Sequence, residues 1–134
     1  MIKRTTYLNR ISPFIDKDII KVITGIRRSG KSVLLQQIQD ELVDRGKDRA
    51  NFIYINFEDL QYESLLNYQT LNQELVKRIN QIDGKAYLFL DEIQRAKSWE
   101  KTINSLRVTY NCDIYITRSN SQLLSGELAT EIAG

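Results

Sequence analysis

The segment IKVITGIRRSGKS, residues 20–32, contains the pattern on which the interpretation of the whole chain depends. A run rich in β-branched apolar residues ends at Gly25, four residues lead to Gly-Lys-Ser at 30–32, and a helical pattern begins at Val33. This order of strand, glycine-containing loop and helix is that of a P-loop. In such a loop, backbone N–H groups and the positive end of the helix dipole surround a phosphate group.

The P-loop pattern predicts a role for each of its polar residues. We expect Lys31 to reach the β- and γ-phosphates of a nucleotide and the Ser32 hydroxyl to bind Mg²⁺. Arg27 and Arg28 either face solvent, pair with acidic neighbours or contact phosphate. The predicted nucleotide-binding residues are Gly25, Ile26, Arg27, Arg28, Ser29, Gly30, Lys31, Ser32 and Val33. A strand–helix turn without a ligand is the alternative.

A second motif is the acidic pair that follows the apolar stretch AYLFL at 86–90. Short, wholly apolar strands are typical of parallel sheets, and such sheets bind ligands at the carboxyl ends of their strands. We therefore predict that Asp91 binds Mg²⁺ and that Glu92 orients and deprotonates the water that attacks the γ-phosphate. The adjacent glutamate favours hydrolysis over transfer to a second small molecule. A solvated strand end is the alternative interpretation.

The remaining hydrophobic patterns predict one α/β unit in which helices and strands alternate. The predicted elements are strands at 51–57 and 112–117, helices at 33–46, at 64–81 and from 98 onward, and a partly helical tail after 119. The alternation implies right-handed crossovers and a mainly parallel sheet. Ser119 and Asn120, after the last strand, are candidates to contact the γ-phosphate or the attacking water, with N-cap chemistry as the alternative.

The segment before the first strand is predicted to be a helical lead-in, residues 1–18, to a single domain spanning 1–134. Its apolar residues share one helical face, and Pro13 predicts a break or two short helical pieces. Two functions remain open for it, because it either packs on the sheet or forms part of a pocket for the nucleotide base.

Composition narrows the classes of function. Hydrophobic residues make up 42% of the 134 residues, charged residues 27%, and the net charge is +2, so neither nucleic acid nor a membrane surface is indicated as a partner. The chain contains no histidine, which excludes imidazole catalysis and His-ligated zinc. Neither a signal sequence nor an apolar run of about 18 residues is found, so we expect a cytoplasmic location.

Four segments together resemble prokaryotic AAA-family ATPases in which an AAA core precedes a C-terminal domain of unknown function. They are GIRRSGKS at 25–32, YINFED at 54–59, LFLDEIQ at 88–94 with Trp99-Glu100 behind it, and SNSQLLSGELAT at 119–130. The resemblance implies an α/β/α sandwich with strand order 5-1-4-3-2 and ATP and Mg²⁺ as ligands. It also implies Lys31 and Ser32 at the phosphates and metal, Asp91 at the metal, Glu92 as base and Ser119-Asn120 as sensor.

Two features depart from this family pattern. Arg118 stands where family members usually carry glycine, and it can either distort the sensor turn or reach the phosphates itself. The sequence also stops before the arginine, the fifth strand and the C-terminal domain of its relatives. We therefore expect a truncated core without its fifth strand, self-association at the exposed edge of the P-loop strand or contact with the missing domain, and slow hydrolysis.

The function expected from the sequence is binding of ATP or ADP with Mg²⁺, and hydrolysis of ATP, as the ATPase module of a larger protein. ATP is favoured over GTP because no guanine-specifying Asn-Lys-x-Asp motif is present. The alternative is a nucleotide-binding switch or an inactive remnant without turnover. A small-molecule kinase is disfavoured because no basic lid segment is evident. A nucleic-acid module is disfavoured because no basic-aromatic stripe is present.

Overall fold

The computed structural model of the protein describes residues 6–25, 30–119 and 128–133, and within them five strands form one sheet of order β2-β3-β4-β1-β5. The strands are β1 Ile20–Gly25, β2 Phe52–Asn56, β3 Ala86–Asp91, β4 Cys112–Ser119 and β5 Leu128–Ala133. Strands β1 to β4 are mutually parallel where they pair, whereas β5 is antiparallel to β1. The prediction of a mainly parallel sheet is confirmed.

Helices cover both faces of this sheet, as the predicted three-layer sandwich requires. They are α1 Thr6–Ile11, α2 Lys31–Asp44, α3 Tyr68–Asn80 and α4 Trp99–Thr109. Helices α1 and α2 pack on the face that carries Ile23, Phe89 and Tyr115, whereas α3 and α4 pack on the opposite face. None of the helices in the described ranges combines the length and the apolar character needed to cross a membrane.

Local sequence explains where the helices begin and end. Helix α2 starts directly after Gly30, whose φ of +95° is readily adopted only by glycine. The side chain of Asn67 caps α3 by accepting the N–H groups of Gln69 and Thr70, each at 3.0 Å. A 3₁₀-helix, Leu60–Leu65, precedes that cap, so the predicted helix at 64–81 begins later than expected.

The expected absence of a fifth strand is wrong. Residues 128–133 pair with β1 along its whole length, from Ile20 opposite Ala133 to Gly25 opposite Leu128. An uncovered edge would leave the N–H and C=O groups of β1 unpaired, and so short a segment is not stable as an isolated helix. The partly helical tail is therefore wrong for 128–133, and the argument for self-association at an open β1 edge no longer holds.

The lead-in consists of two short helical pieces, as Pro13 predicted. Helix α1 is followed by the 3₁₀-helix Ser12–Phe14, which contains the proline near its start. Leu8, Ile11 and Ile15 are buried in the same cluster as the apolar face of α2. The lead-in thus packs on the domain, and its contribution to a base pocket stays a prediction.

A buried polar network fixes the lead-in to the amino ends of β1 and β4. The Lys21 ammonium, which is 0% exposed, contacts the Asp113 carboxylate and donates to the Lys17 carbonyl at 2.6 Å. The Asp16 N–H donates to Asp113 Oδ2 and to the Tyr115 hydroxyl, both at 3.0 Å. Burial lowers the pKa of Lys21 and raises the pKa of Asp113, so each group depends on the other to keep its charge.

We predict that Lys21→Met lowers the free energy of unfolding by about 3 kcal/mol, because it leaves the Asp113 charge buried without its partner. The measurement is urea unfolding followed by the fluorescence of Trp99. The matched control is Arg49→Met, which removes an ion pair to Asp40 at 2.9 Å whose two side chains are both 53% exposed. That change should cost less than about 1 kcal/mol. Equal losses in the two variants would contradict the account.

Candidate functional site

The carboxyl ends of three adjacent strands, β3, β4 and β1, meet at one edge of the sheet. In register, Gly25 of β1 lies opposite Ser119 of β4, and Leu90 of β3 lies opposite Ile116 of β4. Helix α2 starts at this same edge with Lys31. Open parallel sheets bind ligands at such an edge, so the polar groups that converge here form the candidate site.

Lys31 reaches the middle of this edge although its side chain is only 2% exposed. Its ammonium donates to the Ser119 hydroxyl at 3.2 Å and to the Gly25 carbonyl at 3.4 Å. It also lies 3.4 Å from Glu92 Oε2. A buried ammonium needs such acceptors, and a phosphate oxygen could replace any of them. The structure therefore brings together three of the predicted catalytic residues.

The Asp91 carboxylate is buried at the end of β3 and accepts hydrogen bonds from hydroxyl groups. In the described part of the chain, Ser32 Oγ donates to it at 2.5 Å, Thr117 Oγ1 at 2.6 Å and the Tyr54 hydroxyl at 3.1 Å. Burial, together with the Asp91 charge, raises the pKa of Tyr54, which keeps this phenol protonated as a donor. Hydroxyl groups are neutral, so these contacts leave the negative charge of Asp91 to attract a cation.

Glu92 has a backbone φ of +61°, a left-handed conformation that is uncommon for glutamate. Its N–H donates to Thr117 Oγ1 at 2.9 Å, so the same threonine hydroxyl contacts both acidic residues. Its carboxylate oxygen Oε1 accepts from Ser119 Oγ at 2.7 Å and from Gln94 Nε2 at 2.8 Å.

Two opposing effects set the ionisation of Glu92. Burial raises the pKa of its carboxyl, but the hydrogen bonds from Ser119 and Gln94 and the nearby Lys31 charge outweigh burial and hold that pKa below its usual value. Glu92 is therefore a carboxylate at neutral pH, which is the form that a general base requires.

A cavity of about 280 Å³ opens beside these groups, lined by Gly30, Lys31, Ser32, Val33 and Glu92. The Val33 side chain, 61% exposed, lies at its outer side. The oxygens of Ser32 and Asp91 at its base are hard donors of the kind that Mg²⁺ prefers. Their adjacency fits a magnesium ion that is shared with phosphate.

Five predicted site residues lie outside the described residues, and their roles stay predictions. They are Ile26, Arg27, Arg28, Ser29 and Asn120. Arg118 is described, and its position bears on the expected distortion. Its side chain is exposed, its backbone pairs in register with Thr24, and β4 continues through it to Ser119. The strand is thus uninterrupted at the position where relatives usually carry glycine.

Three residues in contact with the acidic pair were not predicted as part of the site. Thr117 and Tyr54 lie in apolar strands, CDIYIT and NFIYINF, and a hydroxyl group among apolar neighbours is the only signal that the sequence offers for them. Gln94 follows the acidic pair by two residues, but nothing in the sequence distinguishes it from a solvent-facing loop residue.

The fold and the groups at its carboxyl edge are those of the P-loop NTPase class. Comparison with protein families identifies the particular member: a family described as "AAA domain" matches residues 17–134, and the chain belongs to this family. Membership supports a nucleotide-binding ATPase module as the general function.

Two relatives match over most or all of the chain. An uncharacterized protein of Haemophilus influenzae is 46% identical over 134 residues, which are 100% of this chain and 34% of that protein. An uncharacterized protein of Methanocaldococcus jannaschii is 44% identical over 117 residues, 86% of this chain and 24% of that protein. The chain thus spans about a third or less of the length of these relatives.

A solved structure, that of C. elegans PCH-2, is similar to this fold. The TM-score is 0.51 at 19% sequence identity, and the match covers 90% of this chain and 36% of that one. At this identity the likeness concerns the fold alone. It agrees with the sheet and helix layers described above.

We predict that Thr117→Val, which removes the hydroxyl shared by Asp91 and Glu92, lowers stability by about 1–3 kcal/mol and weakens Mg²⁺-ATP binding by about tenfold. The control is Thr102→Val, which removes another buried hydroxyl, one that donates to the Tyr68 carbonyl at 2.7 Å on the far face of the sheet. Thermal unfolding and calorimetry separate the two variants. The account fails if both bind nucleotide equally well.

Proposed function

We propose that this chain binds ATP with Mg²⁺ in the cavity at the start of α2 and hydrolyses it to ADP and phosphate. The observation that supports this most strongly is the buried Lys31 ammonium, which lies 3.4 Å from the Glu92 carboxylate at the carboxyl edge of the sheet. A lysine in this position can move from its protein acceptors to the β- and γ-phosphates with little change in burial.

Magnesium would be held by the Ser32 hydroxyl and the Asp91 carboxylate together with phosphate oxygens. In the described ranges, no group of three or more Asp, Glu, Cys or His side chains could hold a metal ion by itself. Mg²⁺ in proteins usually binds through one or two carboxylates, water and substrate phosphates. When bound, the ion would neutralise charge that develops on the phosphates.

Hydrolysis requires a base for water, and Glu92 is the proposed one. As the water oxygen bonds to the γ-phosphorus, the bond to the β–γ bridging oxygen breaks and ADP leaves with that electron pair. The proton from water passes to the Glu92 carboxylate. Ser119, 2.7 Å from Glu92 Oε1 and 3.2 Å from Lys31, lies between the base and the phosphate-binding lysine, and Asn120 follows it as the proposed sensor.

A second candidate function is a nucleotide-dependent switch without turnover. Its support is that Glu92 already contacts Lys31, Ser119 and Gln94, so that nucleotide binding would exchange these contacts rather than start chemistry. In either case, we propose that the chain acts as a module of a longer protein, as the 34% coverage of the H. influenzae relative suggests.

We predict that Lys31→Ala weakens ATP binding by about 100-fold or more, because charge-assisted hydrogen bonds to phosphate are lost. Isothermal calorimetry with and without Mg²⁺ measures this. Lys101→Ala, which removes an ammonium that stacks on the Tyr68 ring 4.7 Å away, is the control and should bind ATP like the wild type. Normal ATP binding by the Lys31 variant would refute the site assignment.

We predict that Glu92→Gln leaves ATP binding intact and reduces phosphate release by about 100-fold or more, the usual contribution of a general base. The control is Glu74→Gln, which alters an ion pair with Arg78 on α3. Unchanged turnover in the Glu92 variant would exclude hydrolysis at this site and leave the switch as the better account.

A further inference from the structure

We propose that Gln94 is a positioning residue that fixes the Oε1 atom of Glu92, so that Oε2 is the oxygen that accepts the proton from water. This inference rests on the proposed function, since it concerns the base of the proposed hydrolysis. It assigns different tasks to the two oxygens of one carboxylate.

The two oxygens of Glu92 have different partners. Oε1 accepts two hydrogen bonds, from Gln94 Nε2 at 2.8 Å and from Ser119 Oγ at 2.7 Å. Oε2 lies 3.4 Å from the Lys31 ammonium, a longer and less directional contact. One oxygen is therefore held by short bonds from two neutral side chains, and the other faces the residue proposed to bind phosphate.

Gln94 is itself held at both ends of its amide. Its Oε1 accepts the backbone N–H of Ser119 at 3.3 Å while its Nε2 donates to Glu92, so both contacts fit a single orientation of the amide. The 3₁₀-helix Ile93–Arg95 that carries Gln94 is packed into the domain through Ile93 and the following Ala96, which are 0% and 1% exposed. Gln94 thus links the segment after β3 to the end of β4.

Nucleotide binding would change the partners of only one Glu92 oxygen. Phosphate oxygens would draw the Lys31 ammonium away from Oε2, whereas the bonds from Gln94 and Ser119 would hold Oε1 in place. Oε2 then points into the cavity with a free lone pair. It takes the proton as the water oxygen bonds to the γ-phosphorus and the bridging oxygen leaves with ADP.

The chain offers a close match for the control variant. Gln61 also lies in a 3₁₀-helix, and its Nε2 also donates to a carboxylate two residues earlier, Asp59 Oδ2, at 2.8 Å. Both Gln61 and Asp59 are exposed, and neither contacts the acidic pair in the described structure. Gln94→Met and Gln61→Met therefore remove the same kind of bond in different surroundings.

The first test uses the nucleotide-free protein and needs no activity. Methylene relaxation of Glu92, in glutamate-labelled protein and assigned through the signal missing from Glu92→Gln, measures how rigidly the side chain is held. We expect a rigid Glu92 side chain in the wild type and in Gln61→Met, and a mobile one in Gln94→Met. If Gln94→Met fails to fold, Gln94→Glu keeps the size while removing the donor. A Glu92 side chain that stays rigid without the Gln94 donor overturns the proposal.

The second test separates binding from chemistry. Gln94→Met should lower single-turnover hydrolysis about tenfold while the ATP dissociation constant changes less than about twofold, because an orienting contact is lost and the phosphate ligands remain. Equal losses in binding and rate would show a merely structural role and overturn the proposal. If wild-type turnover does not respond to Glu92→Gln, the proposed function fails and this assignment fails with it, whatever the relaxation data show about the Gln94 contact.

Discussion

The burial of two adjacent carboxylates at the end of β3 is the constraint on which the site depends. Taking Asp91 and Glu92 out of water is unfavourable unless hydrogen bonds and an opposite charge compensate. The compensation comes from separate parts of the chain: hydroxyl groups of β2, β4 and α2 on Asp91, and the ammonium of Lys31 with Ser119 on Glu92. The carboxylates therefore fix the relative positions of the elements that a nucleotide would touch.

Strand β4 connects this site to the opposite end of the domain. Its first half carries Asp113, which holds Lys21 and the lead-in, and its carboxyl end carries Thr117 and Ser119, which hold the acidic pair. Between them lie buried apolar residues that face the helix layers. Polar groups at both ends of one central strand thus set the position of the lead-in at one edge and of the candidate site at the other.

Local spacing in the sequence was sufficient to predict the elements of the site that lie close together along the chain. The P-loop spacing placed Lys31 at the start of a helix, and the apolar strand before Asp91 placed the acidic pair at a strand end. The layers and the parallel order followed from alternating helices and strands. The lead-in was open to two interpretations because its apolar face fits packing in either.

The features that could not be predicted depend on register between distant strands. Thr117 contacts Asp91 only because β4 pairs with β3, and Tyr54 does so only because β2 lies on the other side of β3. Gln94 gains its role from the end of β4, which lies 25 residues further along the chain. The pairing of 128–133 with β1 was missed because the residue pattern of so short a segment does not specify its partner.

The most direct test of the central claim is a crystal structure of this chain with Mg²⁺ and a non-hydrolysable ATP analogue. The account predicts that Lys31 leaves Glu92 for the phosphates and that the metal lies between Ser32, Asp91 and phosphate oxygens, with Glu92 still bonded to Ser119. A nucleotide bound elsewhere, or a Lys31 that stays on Glu92 beside bound phosphates, would contradict it.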